Sequence, residues 1–371
     1  MMFGKSIAKG AHNASRAPQE RDQPRGSSEV FRGHGMGAVL VFFVLALGLA
    51  FPASAAEDRC GSLFPDFTCD DHVSRPAGHV APMSMPYLFE DPYITTELNL
   101  VGIYHEMPKD SILQGGEAGV IALQARLAIT DRLAFIATKD GYTFMRNDNG
   151  LLNNEEGFMD ITAGFKYAII DDREAGLIVT PSLRYEVPLG SDGVFQGHGK
   201  GVIIPAVSVG YGPDAIHLIA GFGGQFAVDP DKNSSSLFYN VHLDQAFETD
   251  IIPGAKFIVP FIELNGMTYV DSGDGKSTLE TDLGRLSLTT VQGAAAAGAL
   301  GPIPADQRGE GGDIVNLGSK GMVGETLITM AWGVRIPFEN GISTGLSYER
   351  AISNRKDIFE QRVTLRVSYD F

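Results

Sequence analysis

The sequence predicts an all-β chain, a transmembrane antiparallel up-and-down β-barrel of about twelve strands. Three observations predict it. Apolar and polar side chains alternate at period 2 from Tyr93 to Phe371, the alternating segments are long, and tight turns alternate with long polar loops. Period-2 alternation marks a strand with two different faces. Strands of a soluble sandwich run ~5–6 residues, whereas a tilted strand crossing a bilayer needs ~9–11. The segments here, each roughly 12–15 residues, are 94–106, 117–130, 132–146, 157–170, 175–189, 201–212, 215–228, 236–249, 255–270, 323–338, 341–352 and 358–371.

Taken in order, the first two segments put Glu97 with Asn99, and Gln124 with Arg126, on a polar face. Lys139 and Asp140 in the third cannot both face inward without a bulge, for which Gly141 is a site. In the fourth, Met159, Ile161, Ala163, Phe165, Tyr167 and Ile169 alternate with Asp160, Thr162, Gly164 and Lys166. In the fifth, Leu177, Val179, Pro181, Leu183, Tyr185 and Val187 alternate with Thr180, Ser182, Arg184 and Glu186. A lysine or arginine in lipid costs ~2–4 kcal/mol at the midplane, so the polar faces point into the lumen. The seventh and eighth segments add His217, Gln225, Asn240, His242 and Asp244 to that face. Neither parity suits 255–270 throughout, and Gly266 is the expected irregularity. Arg335 and Glu349 follow in the tenth and eleventh. The last is the cleanest: Phe359, Gln361, Val363, Leu365, Val367, Tyr369 and Phe371 lie opposite Glu360, Arg362, Thr364, Arg366, Ser368 and Asp370. The connections at Asp131, 171–174, 213–214, 250–254 and 339–340 are tight; 107–116, 147–156, 190–200, 229–235, 353–357 and above all 271–322 are long.

Composition agrees. Of 371 residues 45 are glycine and only 20% are charged. A mean hydropathy of +0.01 is too apolar for disorder. A net charge of −16 disfavours a nucleic-acid partner. Residues 1–56 read as an export leader, with a basic n-region, an apolar run from Ala38 to Phe51 and small residues Ala53-Ser54-Ala55. Met36 is an alternative start. Losing this leader removes six basic and three acidic residues and leaves 23 basic against 42 acidic, a net of −19. Export also makes Cys60 and Cys69 a disulfide candidate. Residues 57–92 form an N-terminal periplasmic or plug segment, followed by the barrel over 93–371.

The terminal strand, ending Val367-Ser368-Tyr369-Asp370-Phe371, resembles that of Gram-negative outer-membrane β-barrels. The resemblance covers residues 93–371. It implies an outer-membrane location, contact with outer-membrane lipid, and an assembly signal at Val367, Tyr369 and Phe371 read by the barrel-assembly machinery. Length, strand number and acidity also look like putative transporters of the phenol-degradation MetA-pathway type, implying passage of small aromatic or apolar solutes and assigning no residue a role.

The lumen-lining candidates are Glu97, Arg126, Asp160, Lys166, Arg184, Glu186, His217, His242, Asp244, Arg335, Glu349, Arg362 and Arg366. Both signs are interleaved. Eight strands are filled by their own side chains and sixteen leave an aqueous channel, so twelve imply an intermediate cavity. The expected function is a channel or passive transporter for small solutes through a narrow mixed-charge lumen. The alternatives are a structural or adhesive barrel without transport, and an outer-membrane lipid hydrolase. The Ala-rich stretch of loop 271–322 reads equally as a helix narrowing the mouth or as a surface loop.

Against the hydrolase, His242 is followed by Leu243-Asp244 with no nearby Ser, and Gly341-Ile342-Ser343-Thr344-Gly345 opens a strand instead of a strand-to-helix elbow. No catalytic residue and no cofactor is implied. Asp229, Asp231 and Asn233 have the spacing of calcium ligands, but lack the glycine and bidentate Glu of such loops.

Overall fold

The computed structural model describes residues 75–111, 113–148, 150–172, 174–281, 283–296 and 314–371; the leader, Cys60 and Cys69 lie outside them. Twelve strands follow in chain order: β1 (Glu97–Glu106), β2 (Gly116–Ala128), β3 (Leu133–Lys139 and Tyr142–Asn147), β4 (Glu156–Phe158, Ile161–Tyr167 and Ile170–Asp172), β5 (Leu177–Val187) and β6 (Val202–Tyr211). Then come β7 (Ile216–Ala227), β8 (Ser235–Gln245 and Phe247–Glu248), β9 (Phe257–Asp271), β10 (Thr326–Pro337), β11 (Ile342–Ala351) and β12 (Gln361–Asp370). Each pairs antiparallel with the next. β1 also pairs β12, from Glu97↔Asp370 to Glu106↔Gln361, so the sheet closes on itself. Closure removes the edges whose unpaired amides a hydrocarbon surrounding does not tolerate. No described helix is long and apolar enough to cross a membrane.

The two faces sort by chemistry. Arg362, Thr364, Arg366 and Ser368 of β12 are buried inside, while Tyr369 and Phe371 are exposed outside. Around the wall Phe165, Leu183, Leu243, Leu264 and Trp332 also point outward and are exposed. A belt of large apolar side chains on the outside and charges on the inside is the reverse of a soluble protein.

Four readings of the alternation need refinement or correction. Phe359, read as outward, is buried inside, where Arg362 lies over its ring at 4.5 Å and the His105 ring meets it edge-on at 5.1 Å, because it precedes the first paired residue of β12. At β3 both Thr138 and Lys139 are buried, and the register against β4 shifts between Ala137 and Lys139. Asp140 then turns its Oδ1 to accept the Leu123 amide at 3.0 Å, and Gly141 takes φ 120°. Met159, read as outward, is buried in the interior cluster; its amide bonds Gly141 O at the break in β4. In β9 one parity does hold: Val259, Phe261, Glu263, Asn265, Met267 and Tyr269 are all buried, and Ile262 and Leu264 are exposed. There is no irregularity at Gly266. It lies flat beneath the Tyr239 ring, where a Cβ would clash, an aromatic covering a strand glycine. The register shift on this pair falls instead at Ser235/Ser236.

The interior is not uniformly polar, which is why β9 is hard to read from sequence. Val101, Ile103, Val120, Phe238, Met267 and Tyr269 face inward and join an apolar cluster with Met107, Leu113, Val194 and Phe195 of the long loops. The described residues of the 271–322 connection fold over that end. A hairpin (Thr278–Thr281 with Gly284–Ser287) leads into helix α1 (Leu288–Ala296). Leu279, Leu288, Val291, Ile314, Val315 and Leu317 complete the cluster as a cap. The cap is tied down by Asn316, which exchanges bonds with Ser234, and by Gln196 Nε2 donating to Ile314 O at 2.6 Å.

An arginine placed on the outer belt tests the assignment of faces. Leu183→Arg should lower the folding free energy in lipid bilayers by ~2–4 kcal/mol if it sits at the midplane, and Leu189→Arg, beyond the strand end, by ~0–1. Reversible urea unfolding from vesicles reads both.

Candidate functional site

The barrel encloses part of its own chain. Residues 79–94 enter from the short-turn rim, turn at Met85–Phe89 and return to that rim to start β1. All of 79–94 are buried. The segment has prolines at 82, 86 and 92, with Pro76 just before it, and, among the described residues, pairs with no strand. Proline carries no amide donor, so such a stretch offers many carbonyls and few N–H groups. At its apex Met85 adopts φ 44°, and the amides of Leu88 and Phe89 both donate to Met85 O at 3.0 Å.

Buried inside the barrel, those carbonyls need donors. The wall supplies them. Arg335 donates to Ala81 O at 3.2 Å, Arg366 to Pro82 O at 2.7 Å and Gln124 to Pro86 O at 2.8 Å. Arg184 spans Tyr87 O and Leu88 O. Ser208 reaches Glu90 O at 2.8 Å, Lys166 reaches Asp91 O at 2.8 Å and Thr180 reaches Pro92 O at 2.7 Å. The few free amides go the other way: Met83 N and Ser84 N donate to Glu263 at 2.8 and 2.6 Å.

Side-chain charges finish the anchoring. Glu90 is held by Arg126 Nε and Nη2 at 3.0 and 2.8 Å and by Lys166 Nζ at 2.9 Å. At the rim Arg75 bridges Asp91 at 2.9 Å, Glu97 at 2.7 Å and Asp370 at 3.2 Å, joining the inserted segment to the first and last strands. His79 Nε2 lies 3.1 Å from Asp91 Oδ1 and links the two legs.

The wall is electrically two-sided. Arg126, Lys139, Lys166 and Arg184 lie on adjacent strands β2 to β5, with Glu186 paired to Lys139 at 3.0 Å. On β7 to β9, His217 Nδ1 meets Asp244 Oδ1 at 2.6 Å, His242 Nε2 meets Asp244 Oδ2 at 2.8 Å, and His242 Nδ1 meets Glu263 Oε1 at 2.7 Å. The inserted segment matches both sides: its carboxylate and carbonyls face the basic strands, and its two amides face Glu263.

All thirteen residues singled out from the sequence are buried within the barrel. Arg126, Lys166, Arg184, Arg335 and Arg366 touch the inserted segment, and Glu97 is linked to it through Arg75. Asp160 does not: it accepts the amides of Gly190 and Gly197 at 2.8 and 2.9 Å and shapes the 188–201 loop. Arg362 stacks over the Phe359 ring at 4.5 Å and lies 3.6 Å from Glu349. Sequence reasoning missed Glu263, because β9 had no clear parity, and missed Arg75, His79, Glu90 and Asp91. The signal present was Glu90-Asp91-Pro92, two acids within an otherwise apolar stretch.

No protein-family model matches this chain, and no curated protein does either. Among solved structures it is similar to a COG4313 outer membrane channel from Pseudomonas putida F1, at 12% identity and a TM-score of 0.45 over 79% of this chain and 100% of that one. It is also similar to the NanC porin (8%, TM-score 0.41, 74% and 98% of the two chains) and to LpxR from Salmonella typhimurium (10%, 0.39, 74% and 100%).

The remaining candidates resolve as follows. Val367, Tyr369 and Phe371 share the outward face, with the two rings 4.8 Å apart. Asp231 pairs with Lys276 at 2.9 Å, while Asp229 O accepts the amides of Lys232 and Asn233 as a turn. No cluster of three or more His, Cys, Asp or Glu side chains suited to a metal occurs among the described residues. Ser343 is a partner of Arg335, and His242 is held by two carboxylates.

Two outcomes follow. Glu90→Ala strips buried Lys166 and the Nε/Nη2 edge of Arg126 of their nearest carboxylate, leaving only Glu97 beside Arg126 Nη1 at 3.4 Å, and should cost up to ~3–5 kcal/mol in thermal or chemical unfolding. His198, in the 188–201 loop, is buried, and burial, with Lys232 and Lys139 nearby, lowers its pKa to about 4. Its contribution to stability is complete above an ordinary histidine pKa of ~6.5 and is lost as pH falls from there through about 4. Amide exchange of residues 188–201 should therefore accelerate over that interval, and His198→Gln should remove the acceleration.

Proposed function

We propose that this chain is an outer-membrane channel, a passive transporter of small solutes whose polar lumen is closed at rest by residues 79–94. The observation that carries the reading is how that segment is held. It is seated by side chains of the wall, with no strand pairing among its described residues, so it can leave without opening the barrel. A structural seal has no need of this arrangement, since an apolar filling packs as well and avoids buried charge. Behind the segment lies a wall with cations on β2 to β5 and carboxylates on β7 to β9. Such a field orients and sorts small polar solutes in a narrow passage. The leader and the outward apolar belt support an outer-membrane site, with the short-turn rim periplasmic, the long loops outside, and Val367, Tyr369 and Phe371 presented to the assembly machinery.

One observation favours a second reading, a structural or adhesive barrel. The cap and the apex of the inserted segment share one apolar cluster, so the external end is packed as well as the internal one.

Conductance in planar bilayers separates the two. The full chain should show rare, brief openings. Deletion of residues 76–92 should give steady conductance, and swelling of liposomes bearing that variant should report which sugars, acids or aromatic solutes enter. A trace that stays closed when both 76–92 and the 272–322 connection are removed would leave the structural barrel standing and end the channel reading.

A further inference from the structure

The Glu90 carboxylate rests in a cradle that belongs entirely to the fixed wall. Arg126 of β2 presents Nε and Nη2 to its two oxygens, and Lys166 of β4 adds Nζ at 2.9 Å. Both cations are nearly fully buried. Two parallel N–H donors from one guanidinium are the geometry a planar carboxylate selects. The cradle also keeps its shape when the segment withdraws, because Arg126 Nη1 is positioned by Glu97 Oε1 and by Gln124 Oε1, each 3.4 Å away.

Withdrawal changes the electrostatics in one direction. Glu90 and Asp91 leave with the segment, while Arg126, Lys166 and Arg184 stay. Arg184 then loses the Tyr87 and Leu88 carbonyls, and its buried Nε already lacks a partner. The Nε atoms of Arg335 and Arg366, which hold the other leg, are likewise buried without a partner. Along β2 to β5, and at Arg335 and Arg366, the open path therefore presents cations prepared for an oxygen-rich anion, and the carboxylate seated in the cradle is one carried on a short aliphatic stem.

We propose that the Arg126–Lys166 cradle is a subsite for the carboxylate of a small organic acid, occupied by Glu90 while the segment is seated and by solute once it has left. This rests on the channel reading and names the solute class for it. Reversal potentials of the reconstituted chain in a potassium propionate gradient read the transport half. Glu90→Gln should raise the propionate-to-potassium permeability ratio several-fold, and Glu90→Gln with Arg126→Gln and Lys166→Met should return it to or below the parent value. An unchanged or lower ratio in conducting Glu90→Gln overturns the proposal.

A second measurement needs no conductance. In detergent, the melting temperature of Glu90→Ala should recover with propionate, but not with propionamide or with sulfate and chloride at equal ionic strength. Adding Arg126→Gln and Lys166→Met should abolish the recovery. No recovery, or equal recovery with every anion, overturns a carboxylate subsite. Recovery by propionate in a protein that never conducts leaves the subsite standing and removes the channel reading alone.

Discussion

Backbone carbonyls dictate this structure twice. Facing lipid, each strand carbonyl must find an amide on a neighbouring strand, and only a closed sheet provides one for all of them. Inside the closed sheet the same requirement returns for a proline-rich stretch that has carbonyls in excess and no strand to join. The solution is a wall of long donors: Arg184, Arg335, Arg366, Lys166 and Gln124, with Ser208 and Thr180 filling shorter gaps. Arginine suits the task because its fork spans two successive carbonyls from one Cα position, as Arg184 does at Tyr87 and Leu88. The positive charge of the interior is thus in part a by-product of satisfying neutral oxygens.

Charge inside a low-dielectric shell must be arranged, and here it is arranged by strand. Cations gather on β2 to β5, and the His217–Asp244–His242–Glu263 chain runs across β7 to β9. Arg126, Lys139, Lys166, His217 and His242 each have a carboxylate close by, whereas Arg184, Arg335 and Arg366 are met by carbonyls and hydroxyls. Removing such a partner is costlier than never having had it, which makes Glu90 and Glu263 the positions where position and stability are most tightly joined.

The barrel was legible in the sequence because lipid outside and polar groups inside impose a strict two-residue rhythm, and all twelve strands fall where that rhythm does. Tyr369 and Phe371 against Arg362 and Arg366 are the plainest instance. The rhythm fails where the inner face is packed against protein: Val101, Ile103, Met267 and Tyr269 are inward yet apolar, because the cap and the inserted apex cover them. Glu263 was hidden because Phe261, Ile262 and Leu264 around it are hydrophobic. The inserted segment left no periodic trace at all. Its conformation is set by wall residues from 36 to 284 positions away, such as Arg126 with Glu90 and Arg366 with Pro82, and single-chain patterning carries no record of such pairings.

Arg75 has a consequence for how the molecule is made. It grips Asp91 on the returning leg, Glu97 where β1 begins and Asp370 where β12 ends. The seam between first and last strands therefore carries two acidic side chains side by side, paired at Glu97↔Asp370, whose mutual repulsion is relieved by a cation delivered from within. Closing that seam and seating residues 75–94 are therefore coupled, each more favourable when the other is in place.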